Sequence, residues 1–410
     1  MRGDKNLGDA VKIAAAAAVS AAVAGGDVDK ARAYLDAPHT APAARETDVQ
    51  QAFDTLFGTL KAFNTQIDEI DERLREVEAQ LETHLLWIPN MPHETTPVGA
   101  SEAENIPHPP EGEFRQFDFA PKAHWDLGPE LDIIDFERGV KIAGSRFYII
   151  KKNGAKLYRA MINFLLDHHA GRGYEEVYLP FMVKEEALYG SAQFPKFTDV
   201  VYKDTDAELY MVPTAEVPLT NMYAGEILDE NALPLKYAAH TPCFRREKMS
   251  AGRDVRGIKR VHQFEKVELY KFTAPETSYD EMEEMVQTVE SALRQLKIPF
   301  RRLEIVTGDL GFAAAKKFDL EVYAPGCDEW LEVSSVSNTE DFQARRANIR
   351  YRPADGSKPR YVHTLNGSGL GMTRTLIAVM ETYQQTDGSI KVPDVLIPYM
   401  GGVEVIEPQK

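Results

Sequence analysis

Cysteine is nearly missing from this sequence. Cys243 and Cys327 are the only two. They cannot build a disulfide framework or, unaided, a thiolate metal site, so reduced thiols in a cytoplasmic protein are expected. Long apolar runs are missing as well, and nothing approaches the ~20 residues a membrane span needs. The stretch IAAAAAVSAAVA at 13–24 is short, mostly alanine and preceded by Asp4 and Asp9, so an export signal is not expected. Positive charge is in short supply. There are 47 Lys and Arg against 64 Asp and Glu, a net charge of −17. That argues against a general nucleic-acid coat, although local basic patches remain allowed.

The 410 residues allow two to three domains and a large core. Residues 1–46 are alanine-rich and predict a helix over 6–24 and a shorter one to about 35. From 47 to 88 apolar residues recur at Val49, Phe53, Leu56, Leu60, Phe63, Ile67, Ile70, Leu74, Val77, Leu81 and Leu85. Spacings of four and three make this a coiled-coil seam. Prolines 89, 92, 97, 107, 109 and 110 then mark a linker, and the domain boundary is expected at 105/106. Downstream the pattern predicts a helix over 151–171, strands near 176–179 and 209–212, and a surface helix over 275–296. Further strands are expected at 301–306, 317–323, 330–335 and 345–352. A glycine-rich turn over 366–371 and a helix over 373–384 close the series. Strands following one another with few βαβ units favour an α+β fold, an antiparallel sheet with flanking helices.

One segment dominates the chemistry: TPCFRREKMSAGRDVRGIKRVHQFEKVELYKF, residues 241–272. It reads as two strands around a cationic loop. Period-2 alternation predicts a half-buried second strand, with Val261, Gln263 and Glu265 on one face and Phe264, Lys266 and Glu268 on the other. Arg245 and Glu247 share a face of the first strand. A cation, a carboxylate and an aromatic on one face suit a nucleotide and a zwitterion; a surface hairpin laced with salt bridges is the alternative. LNGSGLGMTR at 365–374 lets backbone approach a ligand, or serves tight helix packing. VPTAE at 212–216 and WLEVSSVSN at 330–338 join carboxylates to hydroxyls, which suits Mg²⁺ or an ordinary polar strand.

RVHQFEKVEL, TGDLGFAAAK, DFQARRANIRYR, HTLNGSG and VPDVLIPYMGG, in this order, resemble segments of bacterial-type seryl-tRNA synthetases, class II aminoacyl-tRNA synthetases. The resemblance spans roughly 85–402. It implies a class II antiparallel sheet, a cytoplasmic homodimer without membrane attachment, and the substrates ATP, L-serine and tRNA-Ser. The dimer segment would include the stretch after Gly144-Ser145-Arg146-Phe147 and a strand ending at Pro180. Arg245 would hold the α-phosphate and the serine carboxylate. Glu247 would read the adenine and Phe264 would stack on it. Arg256 would reach the outer phosphates and Arg374 the γ-phosphate. Arg246, Val261, Val333, Ser334 and Ser335 would complete the ATP site. Thr214, Ala215, Glu216, Glu268 and Ser368 would surround serine with Arg245. Mg²⁺ would sit at Glu332 and Ser335.

Two departures stand out. Gly369-Leu370-Gly371 replaces the family's usual Ala-Val-Gly. Residues 1–105, the expected helical arm, carry 9 Lys and Arg against 18 Asp and Glu, where the family has a basic tRNA-gripping hairpin. Phosphate contacts dominate nucleic-acid affinity. The arm therefore leaves open a second acceptor for activated serine, a carrier-protein thiol or a small amine.

Overall fold

The computed structural model describes residues 46–248 and 256–408. The helices expected within 1–45, and most of the cationic loop tip, lie outside the described residues. The chain divides into two units, Met1–Leu85 and Leu86–Lys410. In the first, helix α1 (Glu46–Leu85) runs for 40 residues, about 60 Å at 1.5 Å per residue. Its seam from Leu60 to Leu85 is exposed.

The second unit is built on an eight-stranded sheet. In chain order its strands are β1 (Ile106–Pro107), β2 (Glu175–Glu176), β3 (Leu235–Phe244), β4 (Gln263–Thr273), β5 (Phe300–Glu304), β6 (Lys316–Ala324), β7 (Glu329–Asn338) and β8 (His363–Gly371). Across the sheet they run β1-β5-β6-β7-β8-β4-β3-β2. All neighbours are antiparallel except β3 and β2. The helices that matter below are α2 (His124–Glu130), α3 (Lys152–Ala170), α4 (Glu216–Asn221), α5 (Ser278–Leu296), α6 (Phe342–Ala347) and α7 (Met372–Tyr383).

Alternation along the central strands separates two environments. Val267 and Leu269 of β4 and Leu365 of β8 join one core with Leu157, Met161 and Leu165 of α3, Met285 and Val289 of α5, and Leu376 of α7. Tyr270 and Phe272 of β4 join a second core with Leu219 of α4 and Ala344 and Ala347 of α6. On the face of the second core, the same strands carry the polar residues of the site.

Several expectations need correction. Residues 366–371 form no turn: β8 runs through them directly into α7, with a register irregularity between Ser368 and Leu370. The glycines serve packing. A Cβ on Gly367 would lie 2.8 Å from Met285 Sδ, and one on Gly369 would lie 2.6 Å from His169 Nε2. The strand expected over 345–352 is α6 followed by Arg350–Arg352 alone. The expected surface helix is α5, whose Met282, Met285, Val286, Val289, Leu293 and Leu296 are buried. β4 is half-buried only at its start and buried from Lys266 onward, and Val261 precedes it. A central strand flanked by β3 and β8 and covered on both faces loses the contrast that alternation normally shows. The strands near 176 and 210 shrink to two residues each.

Burial of α5 gives a direct test. Leu293→Ala should lower unfolding free energy by about 3 kcal/mol in urea titrations, whereas exposed Gln287→Ala should stay within about 0.5 kcal/mol.

Candidate active site

A cavity of about 670 Å³ opens on the polar residues of β4, β7 and β8. Its floor follows from register. Glu268 of β4 faces Ser368 of β8, and Ser337 of β7 faces Asn366. Because side chains two apart share a face, Phe264, Lys266 and Glu268 line the cavity with Asn366 and Ser368.

One end is a tight ionic cluster. Lys266 and Glu268 form an ion pair with little exposure. Lys266 Nζ donates to Thr214 Oγ1 at 2.7 Å, and Thr214 Oγ1 donates to Glu268 Oε2 at 3.1 Å. Glu216, at the start of α4, accepts from Gln343 Nε2 at 2.6 Å and from Asn366 Nδ2 at 3.2 Å. Burial, reinforced by the neighbouring Glu268 carboxylate, pushes the Glu216 carboxyl up to about 7, although Lys266, Gln343 and Arg245 pull the other way. The cluster is short of positive charge.

The middle is formed by Arg245, whose guanidinium lies 5.1 Å from the centre of the Phe264 ring and donates through Nε to Pro213 O at 3.2 Å. Backbone bonds fix it just beyond β3: Arg245 N donates to His262 O, and His262 Nδ1 lies 2.9 Å from Arg245 O. Glu247 holds a positive φ of 46°, with its carbonyl accepting from Arg146 at 3.0 Å. At the far end Arg374, from the first turn of α7, donates to Lys259 O at 3.2 Å and Glu332 O at 2.8 Å. The Glu332 carboxylate stands 3.7 Å from the same guanidinium.

The cavity thus gathers Thr214, Glu216, Arg245, Glu247, Val261, Phe264, Glu268, Glu332, Val333, Ser335, Ser368 and Arg374 of the expected set. It does not gather the others. Ala215 is buried in the second core. Arg246 lies over Tyr202, 5.8 Å from the ring centre, and lines a separate cavity. Arg256 lies 4.6 Å from the centre of the Trp125 ring. Ser334 donates to Ser368 O at 2.5 Å and so supports the floor from beneath. Sequence reasoning missed Lys266, Asn366, Lys259 and Gln343 as site residues. The alternation that selected Phe264 and Glu268 already held Lys266, and Asn366 follows from Ser368 in the same way. Gln343 arrives from α6, and nothing local signals it.

The residues at Glu332 fit a divalent cation. Glu332 and Ser335 are hard oxygen donors on the cavity wall. Asp319, paired with Ser335 across the ladder, is buried with an unsatisfied Oδ1. Its carboxyl is raised above the usual range by burial and by the nearby Glu332 charge. Two carboxylates that repel one another are what a cation relieves.

Comparisons with known proteins point to one family. The tRNA synthetase class II core domain (G, H, P, S and T) matches residues 197–383. A serine–tRNA ligase of Roseiflexus sp. strain RS-1 is 59% identical over 355 residues, 87% of this chain and 84% of that protein. The chain belongs to the serine–tRNA ligase family. A member from Dehalococcoides mccartyi strain 195 is 52% identical over 363 residues, 88% of each chain. Among solved structures, the seryl-tRNA synthetase of Pyrococcus horikoshii complexed with ATP superposes with a TM-score of 0.84 at 39% identity, covering 87% of this chain and 84% of that one. The cytoplasmic serine–tRNA ligase of Naegleria fowleri in complex with AMP gives 0.79 at 34% identity, covering 86% and 85%. The class II fold and α+β architecture expected from the sequence are therefore those of the serine–tRNA ligase family.

The raised Glu216 carboxyl has a signed consequence. Its folded-state value, about 7 against an ordinary 4.5, means that ionisation opposes folding. The penalty is absent below about pH 4.5, grows through the interval and is complete above pH 7. Glu216→Gln keeps an oxygen for Gln343 and Asn366 without the charge. Relative to wild type it should gain on the order of 2 kcal/mol between pH 5 and pH 8 in denaturant titrations without ligand.

Proposed function

We propose that this cavity is where ATP and L-serine react. As a member of the serine–tRNA ligase family, the chain activates serine as seryl-adenylate and transfers it to tRNA-Ser. The observation that carries the assignment of the site is the single row of groups across it: the Thr214–Lys266–Glu268–Glu216 cluster, Arg245 against Phe264, and Arg374.

Serine binds at the ionic cluster. Its ammonium supplies the positive charge that Glu216 lacks beside the Lys266–Glu268 pair, and its hydroxyl meets a site rich in acceptors. A site built to pair a hydroxyl rejects analogues without one, because its own polar groups are then left unpaired. Adenine stacks on Phe264, with Glu247 at its edge. Arg245 spans the serine carboxylate and the α-phosphate, and Arg374 takes the γ-phosphate. A serine carboxylate oxygen attacks the α-phosphorus, a new O–P bond forms, and the bond to the β-phosphate oxygen breaks to release pyrophosphate. Such a transfer needs positioning and charge neutralisation more than acid–base chemistry. Guanidinium forks bind carboxylate and phosphate with two parallel bonds, which suits arginine at 245 and 374. Mg²⁺, held at Glu332 and Ser335, would neutralise phosphate charge.

The chain works in the cytoplasm as a homodimer in this reading. Cys243 and Cys327 are free thiols, and among the described residues no helix is long and apolar enough to cross a membrane. Val140, Ile142, Tyr178 and Met182, in and around the segments expected at the dimer contact, are exposed. The arm over 1–105 meets tRNA and the domain over 106–410 performs activation.

Serine-dependent ATP–pyrophosphate exchange tests the activation step, and charging of a tRNA-Ser transcript tests the acceptor. Arg245→Lys should lower kcat/KM for exchange by about 10² or more despite its retained charge, because the fork is lost. Absence of exchange in folded wild-type protein would sink the assignment, and exchange without charging would point to the carrier-protein or amine acceptor.

A further inference from the structure

Helix α2 contributes no side chain to the cavity wall, yet a line of hydrogen bonds passes through its first residue. His124 is fully buried. On one side stands Glu381 of α7, also fully buried. Its Oε1 accepts from His124 N at 2.8 Å, meets His124 Nδ1 at 2.9 Å, and accepts from Cys327 Sγ at 3.1 Å. Its Oε2 accepts from Gly326 N at 2.9 Å and Cys327 N at 3.0 Å. On the other side, Ile258 N donates to His124 Nε2 at 3.1 Å.

The last bond settles the proton. A backbone N–H can only donate, so Nε2 is bare, and Nδ1 of the imidazole carries the hydrogen and donates to Glu381. His124 is locked in one tautomer between α7 and the segment 257–259. Contact is close enough to dictate the neighbouring residue. Gly257 has a φ of +67°, and a Cβ there would lie 1.9 Å from Nε2. The segment it holds carries Lys259. The Lys259 carbonyl accepts from Arg374 Nε at 3.2 Å. Its ammonium pairs with Glu329 at 2.7 Å and lies 5.2 Å from the centre of the Trp125 ring, on the same short helix as His124.

The geometry points to His124 as a positioning residue for ATP: through Ile258 and Lys259 it fixes the carbonyl that aims Arg374 into the cavity. This rests on the functional reading above, in which Arg374 meets the nucleotide. The same three side chains also invite a metal-site reading, since one ligand atom each from His124, Cys327 and Glu381 lie within 4.8 Å of one another. The hydrogen bonds oppose it. A metal on Nδ1 would need that lone pair while Nε2 already uses its own to accept, a demand only an imidazolate meets. Burial also pushes the Cys327 thiol up, with Glu381 adding to the effect, which keeps it a donor.

Two substitutions split the two bonds. Asn reproduces the Nδ1 end and keeps the donor to Glu381, whereas Gln reaches the Nε2 end and keeps the acceptor for Ile258. His124→Asn should raise KM for ATP about tenfold or more in pyrophosphate exchange, with KM for serine within about twofold, and His124→Gln should restore most of the loss. Gly257→Ala, which drives the imidazole away, should reproduce the ATP-specific defect and serves where either histidine variant folds poorly. Melting temperatures of the free proteins are recorded alongside. Equal changes in both KM values, or Asn and Gln variants that match each other, would reduce His124 to a structural role and overturn the proposal. So would stoichiometric zinc in the purified protein whose removal by chelator mimics the variants. Absence of exchange in wild type would refute the functional reading instead. Calorimetric ATP titration of the same proteins then decides this proposal by whether His124→Asn binds ATP more weakly than wild type and His124→Gln.

Discussion

A lysine and a glutamate two residues apart on a central strand, Lys266 and Glu268, are paired inside the protein, and the site is organised around that pair. Taking two charges out of water costs several kcal/mol each unless geometry and extra hydrogen bonds offset it. Here Thr214 bonds to both partners. Gln343 and Asn366 do the same service for the nearby Glu216. These supports come from three separate parts of the chain, none of them on β4, so the cluster exists only in the folded sheet. What remains unbalanced is Glu216, whose raised carboxyl registers an excess of negative charge. An ammonium group placed there would correct that excess, which links the electrostatics of the cluster to the amino-acid substrate proposed above.

The pair can sit there because the sheet has two unlike faces. Alternate residues of β4 and β8 pack against α3, α5 and α7 or line the cavity. Close approach of the helices requires small residues at Gly367 and Gly369. The helix layer thereby braces the strand that carries Asn366 and Ser368. Positioning of this kind is most of what phosphoryl-type transfer asks of a protein. It also gives the departure at residue 369 a physical reading: the glycine leaves room for the ring of His169, whose Nε2 lies 3.1 Å from the Gly369 carbonyl.

Much of this was legible in advance, and the exceptions share a cause. The helices over 46–85 and 152–170 follow from periodicity, because each has one apolar stripe, and the hairpin of β3 and β4 follows from the alternation at the start of β4, although the rest of that strand is buried on both faces. The expected residues brought to the cavity lie on β4, β7 and β8, on segments at strand or helix ends, or at the start of α7. By contrast, glycines in β8 read as a turn because sequence carries no trace of the helices pressed against them. Helix α5 read as a surface helix because its charged residues, such as Lys271's partners Glu281 and Glu284, are paired rather than solvated. Arg246 read as part of the ATP site because it adjoins Arg245, but adjacent residues at a strand end point to opposite sides. Gln343 and His124 had no local signal, since each acts on a segment far away in sequence.

Activation and acceptor recognition place different demands on the chain. In the proposed reading the first is met within the second unit by a handful of fixed groups. The second depends on phosphate contacts, whose strength scales with the number of cations engaged. Helix α1 carries three Lys and Arg (Lys61, Arg73 and Arg75) against ten Asp and Glu. If all three meet phosphates, their contribution to the slope of log affinity against log salt is limited to about −2 to −3, depending on strandedness. The exposed apolar seam on the same helix offers a surface that salt does not weaken. A helix with this acidic balance and such a seam is therefore better suited to shape and apolar contact than to charge-driven phosphate binding.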